Sequence, residues 1–249
     1  MRKIFSMIMV ALVALFATTS CELASGTDPN PNRKDNLLWS RVNDAINQHY
    51  DHAVAVAYLN DVMLEREYVN RVYWQSEIFE GTNAYTITYA SHSGSHRIIT
   101  DGKRLDEGGV WTIYYRSSSY VGFALVGKAV GIDGETSKFN LLVDNSGWGY
   151  TYYANSYSAE SEIEYEYDNV MEGICVKFNT FKGICSDDPT PSDYVIEFEA
   201  VEPLVIRASI EQGKVDILYK DLVKNTSRQL TVVIANRIVT FASSNGSNW

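Results

Sequence analysis

The sequence predicts a mainly β protein, with an antiparallel meander folded as a sandwich or a half-open barrel and preceded by an N-terminal helical segment. Two observations support this prediction. Apolar and polar residues alternate with period two along several segments after Tyr68, which is typical of strands with one covered face and one wetter face. Turn dipeptides separate these segments and no long helical pattern interrupts them, which disfavours parallel crossovers. We expect roughly a dozen strands.

Residues 1–20 have the pattern of a secretory signal peptide. A basic pair, Arg2 and Lys3, precedes an apolar run of about 14 residues that ends at Ala17. A membrane-spanning helix needs about 20 apolar residues, so this run is too short to cross a bilayer. Three small residues then lead to Cys21. The pattern therefore predicts export.

The end of this segment resembles the lipobox of bacterial lipoproteins, in which a small residue precedes an obligatory cysteine. Thr18 replaces the usual leucine three places before Cys21, and relaxed boxes of this kind are familiar among lipoproteins of the Bacteroides group. The resemblance implies diacylglycerol on the Cys21 thiol and an acylated amino group. It also implies a chain anchored by lipid in the bacterial outer membrane, on its cell-surface or its periplasmic face. Cleavage by an ordinary signal peptidase near Ala17 or Ser20 is the alternative.

The mature chain divides into a tether and one domain. Residues 21–34 are predicted to be a lipidated cysteine and a flexible tether, because they are mostly small or polar and have almost nothing to bury. Residues 35–249 are predicted to form a single helix-plus-antiparallel-β domain, a length that supports its own core without metals or many disulfides.

The helical region is expected from Asn36 to about Glu67, since apolar residues recur there at three- and four-residue steps. Asp35 is placed as its N-cap. Tyr50 and Asp51 indicate a break, so the segment from Ala53 to Leu64 is either a second helix or a continuation of the first.

Period-two alternation is clearest in three segments, which are Tyr85–Tyr89, Ile163–Tyr167 and Val215–Tyr219. Turns are predicted at Asp101-Gly102, Asp133-Gly134, Ser146-Gly147, Gln212-Gly213, Asn225–Ser227 and Asn236-Arg237. The acidic loop from Ser186 to Asp193 is the longest irregular stretch, and it either separates two sheets or connects two strands.

The charge balance excludes some partners. The chain has 21 basic and 31 acidic residues, and removal of residues 1–20 takes away two basic ones, so the mature formal charge is −12. Such a chain is not expected to bind nucleic acid or to adhere electrostatically to anionic lipid. Its expected contact with the membrane is the lipid anchor.

Cys175 and Cys185 are the cysteines that remain after lipidation. Export places them in an oxidising compartment, where paired cysteines usually form a disulfide. A turn centred on Thr180 would bring them together across an antiparallel hairpin, so we expect a Cys175–Cys185 disulfide. Two separate buried thiols are the alternative.

Aromatic residues provide the candidate binding site. Trp148, Tyr150 and Tyr152 would project from one face of a strand, with Tyr153 and Tyr157 nearby, and such a face suits the stacking of sugar rings. Trp111, Tyr114 and Tyr115 form a smaller cluster. The competing interpretation is that Tyr and Trp are simply good strand residues.

Carboxylates and histidines were also considered as metal ligands. Glu160, Glu162, Glu164 and Glu166 would line one face of a strand, followed by Asp168, but neighbours on that face are about 6.6 Å apart, too far for one calcium ion to gather them all. A solvated strand face is therefore the preferred interpretation.

The histidines fall into two close pairs, His92 with His96 and His49 with His52. Neither pair has a clear third ligand, and zinc sites need three or four. Exposed loop and helix-end positions are expected for them, and no metal or cofactor is predicted.

The sequence contains no nucleophile elbow, no phosphate-binding loop and no zincin helix, and no other catalytic motif is evident. The sequence therefore predicts an envelope lipoprotein with a non-catalytic binding or structural role at the outer membrane or cell surface, with a glycan or another surface ligand as partner. One alternative is a half-open-barrel carrier of lipid or another apolar ligand. The other is a glycan-active enzyme, since glycosidase carboxylates are scattered in sequence.

Overall fold

The computed structural model describes residues 31–67, 72–88, 94–119, 121–144, 156–186 and 191–242. Within these ranges one α-helix, α1 (Pro31–Met63), precedes twelve strands, and a short 3₁₀-helix (Leu105–Glu107) lies between the third and fourth strands. The strands are β1 (Tyr73–Phe79), β2 (Thr82–Thr88), β3 (Gly94–Thr100), β4 (Val110–Ser117), β5 (Ala124–Gly131), β6 (Lys138–Asp144), β7 (Ser156–Asp168), β8 (Gly173–Ser186), β9 (Tyr194–Ile206), β10 (Ile210–Asp221), β11 (Thr226–Ala235) and β12 (Ile238–Ala242).

All twelve strands form one sheet, in which each strand pairs with the next in the chain. Every pairing is antiparallel, so the predicted meander with an N-terminal helix is confirmed. The acidic stretch from Ser186 to Asp193 joins β8 and β9, which pair directly with each other. It therefore connects two strands and does not separate two sheets.

α1 is a single uninterrupted helix of 33 residues. The expected break at Tyr50 and Asp51 is wrong, because both lie inside continuous helix. The helix also begins at Pro31, where a proline has no hydrogen bond to lose. Residues 31–34 are thus helical, and Asp35 is buried one turn inside the helix instead of capping it. No helix in the described ranges is both long and apolar enough to span a membrane.

The C-terminal half of α1 is enclosed on every side. Ten consecutive residues, 52–61, are buried. Successive residues of an α-helix are rotated by about 100°, so ten in a row cover all faces of the helix. α1 contacts β2 and β3 near one edge of the sheet and β7, β8 and β9 further along it. The sheet therefore curves around the helix, and the helix fills its concave side.

The inner face of the sheet supplies the rest of the core. Inward positions alternate with outward ones along the strands, as in β7, where Ile163 and Tyr165 are buried and the glutamates beside them point outward. Three phenylalanines, Phe178, Phe181 and Phe198, stack across β8 and β9 with ring centroids 5.1 and 5.2 Å apart. This layer packs against α1.

A bulge in β8 changes which residues face inward. Glu162 of β7 is opposite Thr180, but its neighbour Ile163 is opposite Phe178, so Asn179 is the extra residue. Phe178 and Phe181 consequently both face the core although they are three residues apart. The strand continues through Thr180, where the sequence had suggested a turn.

The predicted Cys175–Cys185 disulfide is wrong. Both cysteines lie on the one strand β8 and both are free thiols. Ten residues of extended strand separate their Cα atoms by about 33 Å, whereas a disulfide needs them within about 7 Å. The bulge also places them on opposite faces, since Cys175 is opposite outward Glu166 and Cys185 is opposite inward Tyr157. The structure instead has two separate buried thiols, as in the alternative interpretation.

Of two turns predicted from the sequence, one is a hairpin turn in the structure and the other lies inside a strand. Asn236 and Arg237 join β11 and β12, and both have positive φ (52° and 67°), as expected for a two-residue hairpin turn. Gln212 and Gly213, by contrast, lie inside β10 at a register shift. Gly213 is needed there because a Cβ would lie 2.3 Å from Leu204 Cδ2.

Candidate functional site

The aromatic residues singled out by the sequence lie partly outside and partly within the described ranges. Trp148, Tyr150 and Tyr152, like Cys21, lie outside the described residues. In the smaller cluster, Trp111 is fully buried and its indole N–H donates to the carbonyl oxygen of Lys103 at 2.9 Å. Tyr115 packs on the inner face with His52 and His96.

Tyr157 is also buried, at the start of β7. Of these described aromatics, Tyr114 is the one that reaches the outer face of the sheet.

The glutamates of β7 form an outward row in which Glu160, Glu164 and Glu166 are paired with cations. Glu160 lies 2.7 Å from the Lys182 ammonium, and Glu164 lies 3.5 Å from that of Lys177. Among the described residues no group of three or more His, Cys, Asp or Glu side chains is arranged to hold a metal ion. The row therefore has the geometry of a solvated strand face with cross-strand ion pairs.

The expectation of exposed histidines is wrong for the three that the structure describes. His49, His52 and His96 are all buried, at 0, 3 and 0 % exposure. The hydrogen-bonded pair takes one histidine from each of the two pairs noted in the sequence. His52 Nδ1 lies 2.8 Å from His96 Nε2, which joins α1 to β3. His92 lies outside the described residues.

His49 and Ser161 are as close as the two residues of a catalytic dyad, but solvent and substrate cannot reach them. His49 Nε2 lies 2.7 Å from Ser161 Oγ. Both side chains are buried, and the rings of Phe178 and Phe181 pack edge-on against the imidazole. Burial lowers the pKa of His49 well below 6.5, so the ring is neutral at physiological pH. A neutral, enclosed pair of this kind ties α1 to β7 and does not face a substrate.

The outer face of β1–β5 carries a cluster that no sequence motif announced. We call it the aromatic–arginine cluster, and its members are Phe79, Arg97, Tyr114, Arg116 and Phe123. Arg97 on β3 is directly opposite Tyr114 on β4, and Arg116 shares the outward face of β4 because it lies two residues further along. Phe79 ends β1, and Phe123 immediately precedes β5.

Within the cluster, the Arg97 guanidinium lies between two phenylalanine rings. Its central carbon is 4.6 Å from the Phe79 ring centroid and 4.1 Å from that of Phe123. Arg116 lies 4.9 Å from the Phe123 centroid, and the Phe79 and Tyr114 centroids are 5.8 Å apart. These distances lie within the usual range of cation–π and aromatic contacts. Each contact fixes a ring, so the cluster is a preorganised surface.

Arg97 is held in place by Glu77. Its Nε donates to Glu77 Oε1 at 2.6 Å, and the Thr86 hydroxyl donates to the same oxygen at 3.0 Å. The hydrogen bond from Arg97 lowers the pKa of Glu77, so the carboxylate stays ionised. All five side chains of the cluster are partly exposed. The arrangement presents partly exposed aromatic rings and two guanidinium groups together on one outward face.

A shallow groove of about 570 Å³ crosses β6–β11 on the same outer face. Its floor follows one cross-strand row, which consists of Leu142, Glu160, Lys182, Glu199, Asp216 and Thr231. The row contains its own pairings, since Lys182 contacts Glu160 and the Thr231 hydroxyl donates to Asp216 at 2.6 Å. It has no aromatic platform, so the aromatic–arginine cluster is the better candidate for ligand binding.

Comparison with protein-family models, with curated proteins and with solved structures gave no match.

Proposed function

We propose that this protein is a lipid-anchored envelope module with a non-catalytic binding role, which holds a ligand on the outer face of its sheet through the aromatic–arginine cluster. The observation that carries the proposal is the Arg97 guanidinium fixed between the Phe79 and Phe123 rings on an outward face. Such rings are oriented before any ligand arrives, so little conformational entropy is lost on binding.

Polar groups around the rings favour a sugar ligand. Hydroxyl side chains of β2 and β3 lie beside the cluster, with Thr88 and Ser95 3.0 Å apart and Thr86 bonded to Glu77. Apolar ring faces with hydroxyls and charged groups at their edge match the two kinds of surface that a sugar presents. The expected ligand is therefore a glycan.

The alternative of a carrier for an apolar ligand is less well supported. A carrier of that kind needs an unfilled apolar interior. Here α1 occupies the concave side of the sheet, and its residues 52–61 are buried on all sides. Organic extraction of the purified protein followed by mass spectrometry tests this alternative, and a stoichiometric lipid would favour it over glycan binding.

We predict that Phe123→Ala abolishes glycan binding. The substitution removes the ring that contacts both Arg97 and Arg116, so the platform loses its centre. Ile238→Ala is the matched control, since it also removes an exposed apolar side chain but on the far strand β12, where Ile238 is 68 % exposed. A glycan array with the wild-type and both variants is the measurement. Wild-type protein that binds no glycan would contradict the proposal, as would equal binding by Phe123→Ala.

The lipid anchor has its own test. We predict that Cys21→Ser moves the protein from the membrane to the soluble fraction and abolishes incorporation of labelled palmitate, because the thiol and the new amino group of Cys21 are the expected acylation sites. Ser20→Ala, a change at the neighbouring residue, should leave both unchanged. Protease treatment of intact and lysed cells then shows which face of the outer membrane the domain occupies. Membrane retention of Cys21→Ser would contradict the anchor.

A further inference from the structure

The two arginines of the aromatic–arginine cluster differ in their charge partners. Arg97 is paired with Glu77 at 2.6 Å, so its charge is compensated within the protein. Arg116 has the Phe123 ring at 4.9 Å as its contact, and the described residues place no carboxylate within ion-pair distance of it. Its cross-strand partner is Ser95, whose hydroxyl is neutral and bonded to Thr88. Among the described residues, the positive charge of Arg116 at the edge of the platform is therefore uncompensated.

The positive charge of Arg116 lies on a molecule that is acidic as a whole. The chain has a formal net charge of −10, yet the cluster together with Glu77 has two cations and one anion. A guanidinium is planar and donates two parallel hydrogen bonds to a carboxylate or sulfate group. Next to a ring face, it matches a ligand that combines a sugar ring with an anionic substituent.

Resting on the proposed function, we infer that the ligand is an acidic polysaccharide, whose sugar ring stacks on the cluster and whose carboxylate or sulfate group pairs with Arg116. A neutral glycan would fill the ring faces but leave the guanidinium without a partner. An acidic peptide would satisfy the guanidinium but would not stack a ring.

The test compares polymers that share a sugar backbone and differ in whether it carries anionic groups. Polygalacturonate is paired with its methyl ester, and dextran sulfate with dextran, in titrations of the mature protein followed by calorimetry. Poly-L-glutamate is the peptide control. We expect at least one acidic polysaccharide to bind tenfold or more tightly than its neutral counterpart, and tenfold or more tightly than poly-L-glutamate.

Two matched variants assign the effect to the site. Arg116→Gln should weaken binding of the acidic polymer at least tenfold and leave binding of its neutral counterpart unchanged. Lys103→Gln removes one positive charge from an exposed loop at the other end of β4 and should bind like the wild type. Equal thermal melting of the variants shows that the fold is intact.

Three results would overturn the inference. They are equal binding of acidic and neutral polymers, unchanged binding by Arg116→Gln, and poly-L-glutamate binding as tightly as the acidic polysaccharides. In the first case, loss of binding in Phe123→Ala would leave the proposed glycan platform standing. If none of the polysaccharides binds and the glycan array is also blank, the proposed function itself fails.

Discussion

His49 is a titratable residue held entirely inside the fold, with its Nε2 at 2.7 Å from Ser161 Oγ. The unfolded chain takes up a proton on this ring near pH 6.5, whereas burial keeps the pKa of the folded ring well below that value. Below pH 6.5 the unfolded state therefore binds more protons than the folded state. In the pH range below 6.5 where the folded ring is still neutral, His49 should therefore lower the free energy of unfolding by about 1.4 kcal/mol for each pH unit.

We predict that His49→Gln removes this part of the pH dependence. Glutamine keeps a polar group near Ser161 but has no proton to gain. Urea unfolding at pH 7.5 and pH 5.5 should show the wild type losing about 1.4 kcal/mol more than the variant between the two pH values. His52, whose charge also lowers the pKa of His49, is present in both proteins together with His96, so the two proteins differ in the titration of His49 within the same surroundings. An equal loss in both proteins would show that His49 is not the responsible group.

The residue-scale errors of the sequence interpretation share one cause. His49 was expected to be exposed, but its partner Ser161 is 112 residues away in the chain. Cys175 and Cys185 were expected to meet, but this depended on a turn at Thr180 where the structure has continuous strand. A local pattern does not determine which distant residue lies opposite a side chain, so contacts of this kind were not predictable.

Among the elements, α1 is both surface helix and core. Its N-terminal half has a buried stripe formed by Leu38, Val42 and Ile46, with more exposed residues between them. Its C-terminal half is buried all round and uses small residues, with Ala53, Ala55 and Ala57 at 0 % exposure. Small side chains let the sheet approach the helix from several directions at once.

Overpacking this half of the helix should therefore be costly. We predict that Ala55→Leu lowers the free energy of unfolding by about 1–3 kcal/mol, since three extra carbons have no free space to enter. Ser40→Leu is the control, because Ser40 is exposed in the same helix and its replacement should change stability by about 0.5 kcal/mol or less. Urea unfolding of both variants makes the comparison. Similar changes in the free energy of unfolding for the two variants would mean that the sheet leaves room for larger side chains around Ala55.

Strands were predicted better than the site because strand patterns are local. The alternation of Glu162, Ile163 and Glu164 identifies one inner and one outer face without any knowledge of the partner strand. The aromatic–arginine cluster requires more. Phe79, Arg97 and Phe123 come from three separate parts of the chain, and only the register of β1–β5 brings them together. Of its members, Tyr114 alone had been noticed as part of an aromatic group.

On the scale of the whole molecule, the helix is tied to distant parts of the sheet at both ends. Near its start, Asp35 forms an ion pair with Arg228 of β11. Near its end, the buried Asp61 carboxylate accepts a hydrogen bond from the Tyr165 hydroxyl at 2.9 Å and pairs with Arg66 at 2.9 Å. Because the helix fills the core and interacts with the sheet at both ends, it should not unfold while the sheet remains folded.

We predict that the helix and the sheet unfold together. Far-ultraviolet circular dichroism at 222 nm follows α1, and near-ultraviolet circular dichroism follows packed aromatics such as Trp111, which is fully buried in β4. The two signals should give the same urea midpoint, as in a two-state transition. Loss of the near-ultraviolet signal at a lower urea concentration would show that the core loosens before α1 melts.

The early start of α1 limits how far the domain can lie from Cys21. With Cys21 as the anchor proposed here, helix begins at Pro31, and the ten peptide units between them extend to about 34 Å at most. Under the proposed acylation of Cys21, the start of α1 therefore stays within about 34 Å of the lipid headgroups, and a ligand has to reach the domain at the membrane surface.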